Sequence, residues 1–471
     1  MKRIGHGFSR LIVAGAFVAL VAGVAFADGT SSSMPRKTTT AKVVSAASVG
    51  MDGAVLSEGV ARIVNETIKG KAIPGAVVLV ARHGQIVYHE AFGEMQSGVP
   101  MKKDAIFSLV SMSKTPIAAA AMQLVDQGRI LLTDPISMYI PEFAKMTVAE
   151  KAPDGSIRLV PLKREITLHD LLNMTSGIFR PVNATGDRGV DAYTGDPVKD
   201  FVGELMRDAG IKTGTGDYDL TIKQNAMLAV KIPLIFQPGT DFAYTDTSVD
   251  VLGYVLEVVS GMSLDKLMQE NLYKPLGMVD SSFYPAKTAL PRIPSMYWGG
   301  GPGTTKEQLG TWWPRDFEHG GYGCCPLGLE GVLGNNQKWF SGAGGIYSTA
   351  YDFFRFAQML MNKGILDGKR VLSEQAVARM TTNQIGELHN SFWANDWGYM
   401  LDIQEDNVAK PPYDHQNGSI GSYGWMGAAG TRWYANPQED TIVIIMTQTW
   451  FLWNILPATE KIVNIVNLSI K

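Results

Sequence analysis

Apolar residues recur at helical spacing over 55–69, where Leu56, Val60, Ile63, Val64 and Ile68 share one face and Gly70 follows as a stop. Two β-rich runs come next, 76–82 and 85–91, joined by His83-Gly84, and they predict a hairpin. The last third repeats the strand signal over 397–403, 428–435 and 441–447, with a turn at Asn436-Pro437-Gln438-Glu439. It closes on a helix over about 457–468 that carries Ile462, Val463, Ile465 and Val466. Strands near both ends of the chain, each flanked by a helix, predict one antiparallel sheet assembled from the two termini.

The middle reads as mostly helical, with strong signals over 168–173, 248–260, 263–271 and 349–362. A further helix over 112–127 is apolar almost all round, with Ile117, four alanines, Met122, Leu124 and Val125 before Gly128, and so belongs in the interior. Two irregular stretches, 178–220 and 285–340, are rich in Gly, Pro, Trp and Asp; loops of that length are usually pocket walls or lids. The expected fold class is therefore α+β. Residues 51–105 and 340–471 form the α/β part, and a mainly helical domain over 106–339 is inserted between them.

Composition adds an address and removes some partners. Lys2, Arg3 and Arg10, an apolar run over 11–25 and Ala25-Phe26-Ala27 predict a secretory signal over 1–27, hence a periplasmic or secreted protein. Residues 28–50, rich in Ser, Thr and Ala, read as a flexible leader. The 42 basic and 45 acidic side chains give a net charge of −3, and losing the three basic residues of the signal makes the chain more acidic, which argues against nucleic acid as a partner. No later run is apolar enough to anchor the chain in a membrane after signal cleavage. The two cysteines, Cys324 and Cys325, are adjacent, so the fold does not rest on a disulfide. The seven histidines show no metal-ligand spacing, and no Gly-x-Ser-x-Gly is present.

The candidate chemistry lies at Ser111-Met112-Ser113-Lys114, where the buried helix begins. Residues three apart share a helix face, so the amine reaches the hydroxyl, and the free N–H groups of a first turn favour developing negative charge. A buried lysine there needs polar partners or must lose its proton, and the second is what a general base requires. The same spacing recurs at Ser263-Leu264-Asp265-Lys266, but there Ser263 reads as a helix N-cap. A serine nucleophile also needs a proton-relaying partner and oxyanion donors. Tyr244, at the end of a loop before the helix over 248–260, fits the first need. The glycine-punctuated entry Gly424-Trp425-Met426-Gly427-Ala428-Ala429-Gly430 fits the second, because glycines let a substrate approach the backbone.

These three elements, in this order, resemble the serine β-lactamase and penicillin-binding superfamily, and most closely the family VIII carboxylesterases on the class C β-lactamase fold. Supporting matches are Thr167-Leu168-His169-Asp170-Leu171-Leu172-Asn173-Met174-Thr175-Ser176-Gly177 and Gly344-Gly345-Ile346-Tyr347-Ser348-Thr349. The resemblance implies an antiparallel sheet flanked by helices, Ser111 as nucleophile, Lys114 as base and Tyr244 as second acid/base. It also implies an oxyanion hole from the N–H groups of Ser111 and Ala428, a substrate-facing set of Trp425, Gly427, Ala428 and Asp246, and no cofactor or metal. Two departures bear on substrate. Asp246 stands where class C enzymes keep an asparagine, and Trp425 replaces the lysine of Lys-Thr-Gly, so a substrate carboxylate finds no cation there. A small neutral acyl ester is therefore the expected substrate. A β-lactamase or D,D-peptidase, an acyltransferase and a non-catalytic penicillin-binding-like protein are the alternatives. Trp312, Trp313, Phe317 and Tyr322 are candidates for an acyl pocket wall, His415 for its lining, and His169 for a structural role.

Overall fold

The computed structural model describes residues 42–179, 195–212, 219–298, 337–388, 396–404, 419–450 and 455–471. The signal over 1–27, the pair Cys324 and Cys325, His415 and the four aromatics proposed for a pocket wall lie outside the described residues.

The two ends of the chain meet in one eight-stranded sheet. Strand β1 (Gly75–Arg82) pairs with β2 (Gln85–Gln96), and β2 with the short β3 (Val99–Pro100). On its other side β1 takes β8 (Thr441–Met446) from the far end of the sequence, in antiparallel register from Val77↔Met446 to Arg82↔Thr441. The sheet then continues through β7 (Thr431–Asn436), β6 (Tyr423–Gly427), β5 (Asp402–Ile403) and β4 (Asp396–Trp397). The α+β architecture and the sheet from both termini match the expectation.

Every residue of β8 is buried, as is almost all of β1, because helices cover both faces of the sheet and leave no polar side to alternate. Adjacent residues of β7 report the two faces. Arg432 pairs with Thr459 and Glu460 of the last helix, α5 (Leu456–Leu468), while Trp433 packs on Phe353 and Phe356 of α4 (Ala350–Met361). The first helix, α1 (Gly53–Lys69), lies on the α5 side; Gly59 is the contact point, since a Cβ there would sit 2.6 Å from Ile465.

Four expectations change. The run over 397–403 is two short strands, because the Gly398 N–H donates to the Leu401 carbonyl at 3.0 Å and Met400 turns into the left-handed region (φ 61°). The run over 428–435 starts as a turn at 428–430 that joins β6 to β7 and is strand only from Thr431, so the glycine-rich element is a hairpin tip. Residues 44–50 of the supposed leader are packed: the Val44 N–H donates to Ile86 at 2.9 Å, and Ala46 and Val49 are buried over the sheet. The stretch 178–220 holds a helix, Pro197–Asp208, with Asp196 as N-cap and proline in its first turn. A hairpin over Thr147–Lys151 and Ile157–Pro161 was also missed in the helical part, although Asp154-Gly155 is a hairpin-turn signal.

In the inserted part the two central helices are α2 (Lys114–Asp126), buried on almost every side, and α3 (Asp246–Ser260). A separate two-residue ladder, Phe107↔Ser348 and Ser108↔Tyr347, joins this part to the segment that leads into α4, and one apolar core cluster runs through it and the sheet.

Candidate active site

The position of Ser111 is set before the residue itself. The Leu109 N–H donates to Ile346 at 2.8 Å, and the Ile346 N–H donates to Ser113 Oγ at 3.1 Å, so the 341–348 segment grips the chain on both sides of the serine. Between these points Val110 adopts φ 49°. A β-branched residue in the left-handed region is an outlier costing about 1–3 kcal/mol. Here it turns the chain from the strand at Phe107–Ser108 into the 3₁₀ turn Val110–Ser113, which continues as α2. Ser111 is left half-buried at that corner while its neighbours are enclosed.

Lys114 has no exposed surface. Its Nζ donates to Ser111 Oγ at 3.0 Å, Asp246 Oδ1 at 2.6 Å and the Ala343 carbonyl at 2.8 Å. Three acceptors match the three protons of an ammonium. Burial pushes the lysine down, but the Asp246 carboxylate and Tyr244 outweigh it and hold the group above its ordinary range. Of the two ways a buried lysine is tolerated, the resting site uses polar partners rather than proton loss.

Tyr244 lies beside that ammonium, with Nζ 4.9 Å from its ring centroid. Its oxygen accepts from Trp425 Nε1 at 3.3 Å, and the two rings are 5.3 Å apart. Trp397, at the edge of the sheet, meets Trp425 edge to face at 4.5 Å and Tyr244 at 6.0 Å. Nothing local in the chain singles out Trp397; only the sheet order brings it to Trp425.

Asp246 opens α3 after the N-cap Thr245, where a carboxylate also suits the helix dipole. It was expected to face substrate. Its Oδ1 points at Lys114, and the side chain is 18% exposed. One turn further, Asp250 is fully buried; its Oδ1 accepts from Ser341 Oγ at 2.8 Å and the Ala343 N–H at 3.4 Å, and Oδ2 has no partner among the described residues. Burial first, then the Asp246 charge, pushes its carboxyl up to about 8. Asp250 and Ala343 escaped the sequence reading. The i, i+4 spacing of Asp246 and Asp250 and the Gly344-Gly345 motif were the available signals.

The third element reaches Ser111 through the backbone. Thr431 Oγ1 donates to the Leu109 carbonyl at 2.9 Å, and the hairpin tip with Ala428 and Ala429 packs against Val110. Ala428 is thereby set beside the nucleophile's turn. Gly427 has a different purpose from the one expected. A Cβ there would lie 2.1 Å from the Leu109 carbonyl and 2.4 Å from Thr431 Oγ1, so the missing side chain makes room for the protein's own strand, not for a substrate. Gly427→Ala is expected to cost about 3 kcal/mol or more and to lower ester turnover with it, because no flexible neighbour yields; denaturant melts alongside kcat/KM check both.

The remaining candidates separate cleanly. Ser263 Oγ accepts from the Lys266 N–H at 3.4 Å as a helix N-cap, away from any such cluster. His169 is satisfied by Tyr399 at 2.8 Å and Asn173 at 3.0 Å, and burial holds its pKa down.

Comparison with known proteins gives the same picture. The chain is 27% identical over 403 residues to the esterase EstB of Burkholderia gladioli, covering 85% of this chain and 92% of that one. It is 26% identical over 401 residues to the lovastatin esterase of Penicillium rubens, covering 81% and 86%. Among solved structures it resembles EstCE1, described as a hydrolase with promiscuous acyltransferase activity, at a TM-score of 0.67 and 25% identity over 88% of this chain and 99% of that one. The simvastatin synthase of Aspergillus terreus, at a TM-score of 0.64 and 18% identity over 88% and 98%, shares the fold. The model of one family, described as Beta-lactamase, matches residues 60–453, from α1 through the whole sheet and both central helices. A match of that extent leaves no other assignment for the fold: the chain belongs to the β-lactamase family.

Proposed function

We propose that the protein is a serine hydrolase of the family VIII carboxylesterase kind, cleaving short- to medium-chain carboxylic esters through an acyl-enzyme on Ser111. The observation that carries this reading is the 3.0 Å contact between Ser111 Oγ and the fully buried Lys114 Nζ at the start of α2. Ser111 attacks the ester carbonyl and Lys114 takes its proton. The N–H groups of Ser111 and Ala428 stabilise the oxyanion, and Tyr244 protonates the leaving alkoxide. Water activated by Lys114 and Tyr244 then releases the acid.

The substrate class follows from what surrounds the serine. Trp425 stands where a lactamase keeps a cation, and its indole packs on Tyr244 beside Lys114, with the buried Trp397 behind it. An indole at that position suits a neutral acyl group and, unlike a lysine, offers an anionic β-lactam no charge to pair with. EstB and the lovastatin esterase, both named as esterases, support the same class. The test is a comparison of p-nitrophenyl butyrate with nitrocefin: kcat/KM for the ester is expected to exceed that for the cephalosporin by at least ~10²-fold, and the reverse order would overturn the reading. The acyltransferase described for EstCE1 supports a second outlet, in which an alcohol replaces water at the acyl-enzyme. The predicted signal over 1–27 places the activity in the periplasm or outside the cell, which N-terminal sequencing of the exported protein tests.

A further inference from the structure

A resting ammonium is the wrong partner for a serine that must lose a proton. Lys114 Nζ already holds three protons, one of them aimed at Ser111 Oγ, and it accepts another only if it gives one away. Its shortest contact is Asp246 Oδ1, at 2.6 Å. The third partner, the Ala343 carbonyl, is no proton acceptor in this range.

We propose that Asp246 is the terminal proton acceptor of acylation, with Lys114 as the relay between it and Ser111. The inference rests on the hydrolase reading and deepens it. As Ser111 Oγ bonds to the ester carbonyl carbon, the Oγ–H bond breaks and that proton forms a new Nζ–H bond. One of the original Nζ–H bonds breaks in the same step, and its proton bonds to Asp246 Oδ1. The negative charge leaves the carboxylate and appears on the tetrahedral oxyanion, while Lys114 remains an ammonium throughout. No free neutral amine is required in the resting protein. The leaving alkoxide takes its proton from Tyr244, which is restored from Asp246 back through Lys114.

The groups around the relay are consistent with this assignment. From α3, Asp246 and Asp250 face Lys114; from the loop before α3, Tyr244; from the 341–346 segment, the Ala343 carbonyl; and β6 contributes Trp425, which does not titrate. Asp250 is held by Ser341 Oγ and the Ala343 N–H and is not among the three acceptors of Lys114, so of the two carboxylates only Asp246 receives an ammonium proton. Substituting asparagine at 246 leaves an amide that accepts a hydrogen bond and takes no proton.

The experiment is the pH profile of kcat/KM for p-nitrophenyl butyrate between pH 5 and 10, measured on the full chain and on Ser111→Ala, Asp246→Asn and Asp246→Glu. Asp246→Asn is expected to lose at least ~10-fold at pH 7 and to regain activity as the pH rises, since Lys114 must then act as a free amine. Asp246→Glu, which keeps a carboxylate, restores activity at pH 7 above the asparagine level. A proton inventory in mixed light and heavy water is expected to show two protons in flight in the parent and one in Asp246→Asn. An asparagine variant as active as the parent at pH 7, or a rising limb displaced to lower pH, overturns the relay. So does a glutamate variant no better than the asparagine one, which also decides the matter should Asp246→Asn fail to fold. Residual full activity in Ser111→Ala would instead overturn the hydrolase reading itself.

Discussion

Ser111→Ala is expected to lower kcat/KM for p-nitrophenyl butyrate by roughly 10⁴-fold or more while leaving the unfolding free energy within ~1 kcal/mol of the parent. Both halves follow from one geometry. The hydroxyl is the group that forms the acyl bond, and nothing else in the corner replaces it, because Ser113 Oγ is committed to the Ile346 N–H. For stability, Ser111 is half-buried and its Oγ is an acceptor for one of three Lys114 protons; the ammonium keeps Asp246 and Ala343 when that oxygen is gone. Val110 keeps its left-handed backbone, since the hydrogen bonds of Leu109 and Ser113 hold it there. Steady-state kinetics and a urea melt on the same preparation measure the two halves.

Lys114→Met is expected to damage both activity and fold. Turnover falls by roughly 10³-fold or more, because the proton route from Ser111 is cut. Stability falls by ~3 kcal/mol, because removing one member of an enclosed ion pair leaves Asp246 without its cation and the Ala343 carbonyl without its donor. The methionine fills the space of the lysine stem, so packing loss is small. The combination Lys114→Met with Asp246→Asn then separates the two effects. Removing the orphaned charge is expected to return most of the lost stability and none of the lost turnover. Chemical denaturation of the two single variants and the double gives the coupling energy directly.

Much of this site was legible before any coordinates. Ser111, Lys114 and Tyr244 stand next to strong local signals, a buried helix start and a loop before an apolar helix, and the structure brings all three together. The sheet was legible for the same reason: β1 and β8 are continuous apolar runs, β2 starts on Ile86-Val87-Tyr88, and clear turns lie between or beside them. What failed was meaning set by distant contacts. Gly427 was read as an opening for substrate, and only the register of β6 against the 108–111 segment shows that the Leu109 carbonyl fills the space. Asp246 was placed with the substrate-facing residues, and nothing local says which way a residue at the start of a helix turns; the 2.6 Å contact to Lys114 comes from how α2 and α3 pack. Asp250 gave only the weak signal of its i, i+4 spacing from Asp246, since the weight of one carboxylate in an apolar helix is legible only once its burial is known. The split of 397–403 into two strands depended on a turn at Gly398, held by the Leu401 carbonyl, that a sliding apolar pattern does not register.

The most direct test of the account is to trap the intermediate. Mixing the protein with p-nitrophenyl butyrate, quenching in acid during turnover and mapping the digest by mass spectrometry is expected to find one butyryl group on the peptide that carries Ser111, absent from the Ser111→Ala protein. Turnover of the ester with no acyl group on Ser111, or with the group on Ser263 instead, would contradict it.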